Sequence, residues 1–98
     1  MFDKMKALVD MQKKIEVMKR ELENTDFQIQ SPDGLVKITM NGSQEVKGIS
    51  IQGELKEIEK ANLERAIKDA SNTAIKRSHD IAAEKMKDIT GLNLPGLI

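Results

Sequence analysis

Residues 31–51, Ser31-Pro32-Asp33-Gly34-Leu35-Val36-Lys37-Ile38-Thr39-Met40-Asn41-Gly42-Ser43-Gln44-Glu45-Val46-Lys47-Gly48-Ile49-Ser50-Ile51, decide the fold of this chain. Two β-rich runs meet at Asn41-Gly42, and both of those residues accept the positive φ that a type I′ turn demands, so the segment predicts a tight hairpin. Upstream, Ser31-Pro32-Asp33-Gly34 reads as a second turn, because Pro32 presets φ and Gly34 tolerates positive φ. Val36, Ile38 and Met40 share one strand face, with Leu35, Lys37 and Thr39 on the other. Beyond Asn41-Gly42 the apolar set shifts phase from Val46 to Ile49 and Ile51, with Gly48 at the shift as expected of a β-bulge. Phe27 and Ile29, alternating with Gln28 and Gln30, predict a short half-buried strand ahead of the hairpin. The expected strands, 27–30, 35–41 and 44–52, form an antiparallel meander whose exposed edges must be blunted, covered or paired with another chain.

Helices are expected on either side of this sheet. Leu8, Met11, Ile15, Met18 and Leu22 recur at spacings of three and four, the pattern of a narrow seam on a helix over 3–23 with Asp3 as its N-cap. So narrow a seam points to a second helix from a partner chain, which makes these five residues the candidate dimer interface. Asn24, Thr25 and Asp26 break the helix. After the sheet, Glu54 to Lys60 is a charged connection with room for a helical turn around Leu55 and Ile58. No Pro or Gly interrupts 59–90, where Leu63, Ile67, Ala70, Ala74, Ile81 and Ile89 trace a stripe joined by Ala66, Ile75, Ala82 and Met86. That helix would reach about 45 Å, more than so small a domain can cover, so part of it projects or packs on a partner. Gly91 is the expected stop, and the apolar, punctuated tail 92–98 either docks in a groove or stays mobile. The order is α-β-β-β-α: a single α+β domain over 1–98, a three-stranded antiparallel meander flanked by an N-terminal helix and a long C-terminal helix, and dimeric.

Composition narrows function. With 98 residues, two Phe, no Trp and no Tyr, the core must come from Ile, Leu, Val, Met and Ala, which a partner chain would help to complete. The chain is 33% charged, yet its 16 basic and 16 acidic residues cancel, so any polyanion contact must come from a local patch. Absence of Cys removes disulfides, thiol nucleophiles and thiolate metal sites. No signal-peptide pattern opens the chain and no apolar run is long enough to span a bilayer, so the expected location is the cytoplasm.

Chemistry has few candidates. His79 stands without a second ligand and reads as a solvated side chain, no metal site or cofactor is expected, and scattered carboxylates do not make an active site, so the expectation is a protein without enzymatic activity. Basic clustering is the remaining signal. Lys13, Lys14, Lys19 and Arg20 crowd about two turns of the first helix against Glu16, and Lys76, Arg77, Lys85 and Lys87 stand on the long helix against Asp80, Glu84 and Asp88. Cations on an exposed helix face usually serve solubility and pairing along the helix, for example Glu16 with Arg20. Two such patches brought together by dimer symmetry would instead present rows of cations to phosphates without reading bases.

The run Gly34 to Gly42 followed by Glu45-Val46-Lys47 resembles the central hairpin of the YbaB/EbfC family. The Met- and Lys-rich first helix, Ala70 to Ala74 with Asn72 between, and the ending Lys85-Met86 to Thr90-Gly91-Leu92 with Leu94-Pro95-Gly96 extend the resemblance over nearly the whole chain. Ser31-Pro32-Asp33 replaces a glycine-rich lead into the hairpin, and Gln52-Gly53 stands where an Asp-Pro-like stop is common. The resemblance implies a bacterial nucleoid-associated protein that binds double-stranded DNA as a homodimer with little sequence specificity, its long helices projecting like tweezers. Eight residues are carried over as DNA-contact candidates: Lys13, Lys14, Lys19, Arg20, Lys76, Arg77, Lys85 and Lys87. The alternative is an adaptor for replication or recombination proteins, working through the Met seam or the tail without touching DNA.

Overall fold

A computed structural model describes residues 2–90. Its elements are α1 (Phe2–Glu23), β1 (Asp26–Gln30), β2 (Val36–Asn41), β3 (Val46–Ile51), a 3-10 turn (Leu55–Glu57) and α2 (Lys60–Thr90). The expected order is observed, including the turn between the sheet and the second helix. The expected stop at Gly91 and the tail 92–98 lie outside the described residues. Strand order is β1-β2-β3 with both neighbours antiparallel. Met40 pairs with Val46 and Thr39 with Gly48, leaving Lys47 as the extra residue, so the phase shift read at Gly48 is a bulge.

Burial is set by β2, which lies between two strands and under α2. Val36, Ile38 and Met40 are buried, and they meet Ala66, Ala70 and Ala74 of α2, also buried. Alanine at every fourth position places a smooth stripe on one helix face, so the helix axis can lie close to the strand. Phe27 and Ile29 of β1, opposite Met40 and Ile38, flank this core, with Leu35, Leu63 and Ile67. Full burial of side chains such as Ile38 and Val36 stabilises the fold by about 1.5–3 kcal/mol each.

The turn after β1 is a polar knot. Gly34 has φ +76° and donates its N–H to the Ser31 carbonyl at 2.8 Å. The buried Ser31 hydroxyl donates to Asp33 Oδ1 at 2.7 Å and accepts from the Val36 N–H at 3.0 Å, while the Leu35 N–H donates to the same Asp33 oxygen at 3.0 Å. The Ser31 hydrogen bond, followed by that from Leu35, holds the Asp33 carboxyl below its ordinary pKa. A carboxylate with a depressed folded pKa adds stability above its unfolded pKa and loses it as pH falls through the folded value. Ser31→Ala is therefore expected to flatten the acid limb of stability, read as urea midpoints measured from neutral to strongly acidic pH. An acid limb identical to that of the parent chain would refute the assignment.

The second turn differs from expectation. Gly42 does not have positive φ, and the residue that does is Gln44, at +63°. Gln44 N–H donates to Asn41 O at 3.2 Å, and Asn41 N–H to Glu45 O at 3.1 Å, so the loop is Gly42-Ser43-Gln44 with a left-handed third residue, not a two-residue type I′ turn. That is why β3 begins at Val46 rather than near 44. Gly42 is required for space instead: a Cβ there would lie 2.8 Å from Leu22 Cδ2, 3.1 Å from Leu22 O and 3.2 Å from Leu22 Cα.

The reason for this crowding is that the hairpin loop closes the end of α1. A helix leaves its last four carbonyls without internal partners. Here Arg20 O accepts from Asn24 N–H, Glu21 O from the Thr25 hydroxyl, Leu22 O from Thr25 N–H and Gly42 N–H, and Glu23 O from Asn41 Nδ2. On the other side of the loop, the buried Ser78 of α2 donates its hydroxyl to Asn41 O at 3.1 Å and accepts from Gln44 N–H at 3.1 Å. Asn41 and Gly42 thus join both helices to the sheet.

Candidate nucleic-acid interface

Past this junction the two helices leave the sheet together. Leu22 sits at the hairpin loop, Glu21 meets Lys85, and Lys13 and Lys14 face Asp88 and Ile89, so α1 and α2 run antiparallel into a two-helix arm. The described residues measure 67 × 23 × 14 Å. At the helical rise, the 22 residues of α1 span about 33 Å and the 31 of α2 about 46 Å.

Charge follows this division. All of α1 with the outer part of α2, residues 2–23 and 76–90, carries ten cations and eight anions, whereas 24–75, with the sheet, carries six cations and eight anions. The zero net charge is a cancellation between two ends, not a uniformly mixed surface. An arm with a surplus of two presents a positive potential that a count over the whole chain conceals.

Between the helices of the arm lies a groove of about 300 Å³, lined by Lys13, Lys14, Val17, Met18 and Glu21 of α1 and by Lys85, Asp88 and Ile89 of α2. Its floor is apolar and its rim charged. Lys85 Nζ lies 3.1 Å from Glu21 Oε2, with both side chains partly exposed. A pair in that setting contributes about 0–1 kcal/mol, so a phosphate can compete for the lysine. Arg77 and Lys85 also border a shallower concavity with Asp80, Ile81, Glu84 and Asp88.

Of the eight cations singled out in the sequence, the structure gathers Lys13, Lys14 and Lys85 around one groove and places Arg77 beside a second. Lys19, Arg20, Lys76 and Lys87 are exposed on the arm without lining either groove. Lys4 and Lys6, on the outer half of α1, are exposed there too. Sequence reasoning did not single them out. The cross-helix pair of Glu21 with Lys85 was likewise illegible, since pairing along one helix is all that spacing can suggest.

The candidate dimer seam divides. Met18 and Leu22 are buried within the chain, Ile15 is half-buried, and Leu8 and Met11 are 66% and 39% exposed. Seam narrowness therefore has an internal reason for its inner half: α2 covers it. A second uncovered apolar surface lies on β3. Val46, Ile49 and Ile51 oppose Met40, Ile38 and Val36, so they occupy the sheet face that α2 covers, yet they are 53%, 56% and 39% exposed. The helix lies over β1 and β2 and leaves β3 bare. No cluster of His, Cys, Asp and Glu fit to hold a metal ion occurs among the described residues. No described helix is long and apolar enough to cross a membrane.

The sequence profile of the YbaB/EbfC DNA-binding family matches residues 1–93. A nucleoid-associated protein from Clostridium kluyveri is 35% identical over 95 residues, which cover 95% of this chain and 83% of the relative. The crystal structure of the uncharacterized protein HP0035 from Helicobacter pylori superposes with a TM-score of 0.78 over 91% of this chain and 96% of that one, at 21% identity, and so shares the fold.

Proposed function

The chain belongs to the YbaB/EbfC DNA-binding family, and from that premise we propose that it binds double-stranded DNA in the bacterial nucleoid as a homodimer, through phosphates and with little regard to sequence. The observation that carries the reading is the charge division: the cationic surplus is confined to a projecting two-helix arm, the part most able to reach a duplex. Its exposed lysines are point charges on flexible stems, suited to phosphate oxygens and not to the bidentate reading of base edges. The acidic sheet end turns away from DNA for the same electrostatic reason.

The bare face of β3 supports the dimer. Three apolar side chains in a row on an unpaired edge strand are an association surface, and a second copy supplies the matching surface by two-fold symmetry. Two arms then project from one sheet-built centre, and binding by both raises the apparent affinity.

Fluorescence anisotropy on two unrelated duplexes tests the DNA reading. Affinity is expected to be similar for both duplexes and to fall steeply with salt, each phosphate contact contributing about 0.9 to the log–log slope. Changing Lys13, Lys14, Lys19 and Arg20 together to Gln is expected to flatten that slope by at least about two units and to weaken low-salt binding at least about 100-fold. Unchanged binding by this variant, or none by the parent chain in dilute salt, would sink the proposal.

A protein-adaptor role has its own observation: Met5, Leu8 and Met11 are exposed on the outer half of α1. Leu8→Lys with Met11→Lys should abolish capture of a protein partner and leave DNA binding intact if that role exists.

A further inference from the structure

Asn41-Gly42 is the one Asn-Gly dipeptide in the sequence. In such a pair the Gly nitrogen, unhindered by a side chain, can attack the Asn side-chain carbonyl carbon. A bond forms between Gly42 N and Asn41 Cγ, the Cγ–Nδ2 bond breaks, ammonia leaves with the proton released by Gly42 N, and a five-membered succinimide remains. One water then opens the ring to aspartate or isoaspartate. No oxidant or reductant takes part.

The fold holds both reactants away from this path. Gly42 N–H donates to Leu22 O at 2.9 Å and to Thr25 O at 3.1 Å. Asn41 is fully buried, its Nδ2 donating to Glu23 O at 3.0 Å and Glu45 Oε1 at 2.8 Å, and its Oδ1 accepting from Ser43 N–H at 2.9 Å and Glu45 N–H at 3.0 Å. The amide cannot turn toward Gly42 without giving up these bonds together. The backbone around them is tied to both helices, the Gly42 N–H to α1 and the Asn41 backbone carbonyl to Ser78 of α2.

We propose that Asn41 is a modification site gated by opening of the α1–hairpin–α2 junction: it deamidates only in molecules whose junction has opened, and the product cannot close again. An aspartate at 41 keeps acceptors for Ser43 and Glu45 N–H but has no donor for Glu23 O. It also sets a carboxylate against that of Glu45. An isoaspartate additionally lengthens the backbone at a loop whose Gly42 nitrogen lies 2.9 Å from Leu22 O. The site thus keeps an irreversible record of time spent open, and it removes such copies from the folded pool.

The test follows the full chain at neutral pH and 37 °C by intact mass and peptide mapping, across a guanidinium series that spans the unfolding transition. Conversion at Asn41 is expected to track the open fraction and to be at least about ten-fold slower in buffer than in denaturant. Equal rates in buffer and denaturant would overturn the gating. Converted protein, separated and returned to buffer, is expected to melt at lower temperature than the parent chain, and an unchanged Tm would overturn the second half. A Ser78→Ala chain, which loosens the junction at the Asn41 backbone carbonyl while leaving every partner of the Asn41 amide and the Gly42 N–H in place, should convert faster in buffer, and a rate equal to the parent's would also count against it.

Discussion

Asn41→Ala is expected to destabilise the folded chain by about 3 kcal/mol, since three part-buried hydrogen bonds from its side chain to the backbone are lost at about 0.5–1.5 kcal/mol each. Their backbone partners are Glu23 O, Ser43 N–H and Glu45 N–H. Asn41 itself is fully buried between the end of α1 and the hairpin loop, so an alanine there also leaves unfilled space. Against a total of about 5–15 kcal/mol for a domain, such a loss is a large share of the folding free energy. Urea unfolding followed by circular dichroism gives the measure: the midpoint should drop with the slope unchanged. A change below about 1 kcal/mol, the size of one ordinary exposed hydrogen bond, would show that the loop does not tie the elements together.

Charging the bare strand should have an effect of similar size on association. Ile49→Asp with Ile51→Asp is expected to weaken self-association at least about 100-fold, since two interface side chains at 1–2 kcal/mol each correspond to that factor. Both residues are more than one-third exposed in the single chain, so the substitution costs the isolated fold little. Circular dichroism should stay that of the parent chain while sedimentation equilibrium reports a monomer. DNA affinity should fall as well, because two arms no longer act as one ligand. If the parent chain is itself monomeric at micromolar concentration, or if the doubly charged variant stays dimeric, β3 is not the contact. The four-cation Gln variant separates the two effects: it should lose DNA while keeping its mass.

These two substitutions probe features of unequal legibility. The β2 face of Val36, Ile38 and Met40 and the Ala66-Ala70-Ala74 stripe are periodic, and each period is imposed by the geometry of one local element. The bulge was legible for the same reason: Gly48 marks a change of phase within one strand. Asn41-Gly42 was read as a turn, and it is one, but of another type. Its residues permit positive φ, whereas the fold uses the absence of a Cβ at Gly42 to bring Leu22 close and leaves the left-handed conformation to Gln44. The seam Leu8 to Leu22 was read as one surface because its spacing keeps one helix face, yet the described part of α2 covers only the inner half.

Sequence alone determined the order of helices and strands, the inward faces of β1, β2 and α2, and the basic character of particular helix stretches, because each depends on residues a few positions apart. Tertiary structure decided which inward face stays uncovered, which lysine meets a carboxylate and that the cationic surplus collects on one arm. Those outcomes depend on where α2 crosses the sheet and where its end meets α1. Such crossings are set by the summed packing of distant side chains, and no local period encodes them.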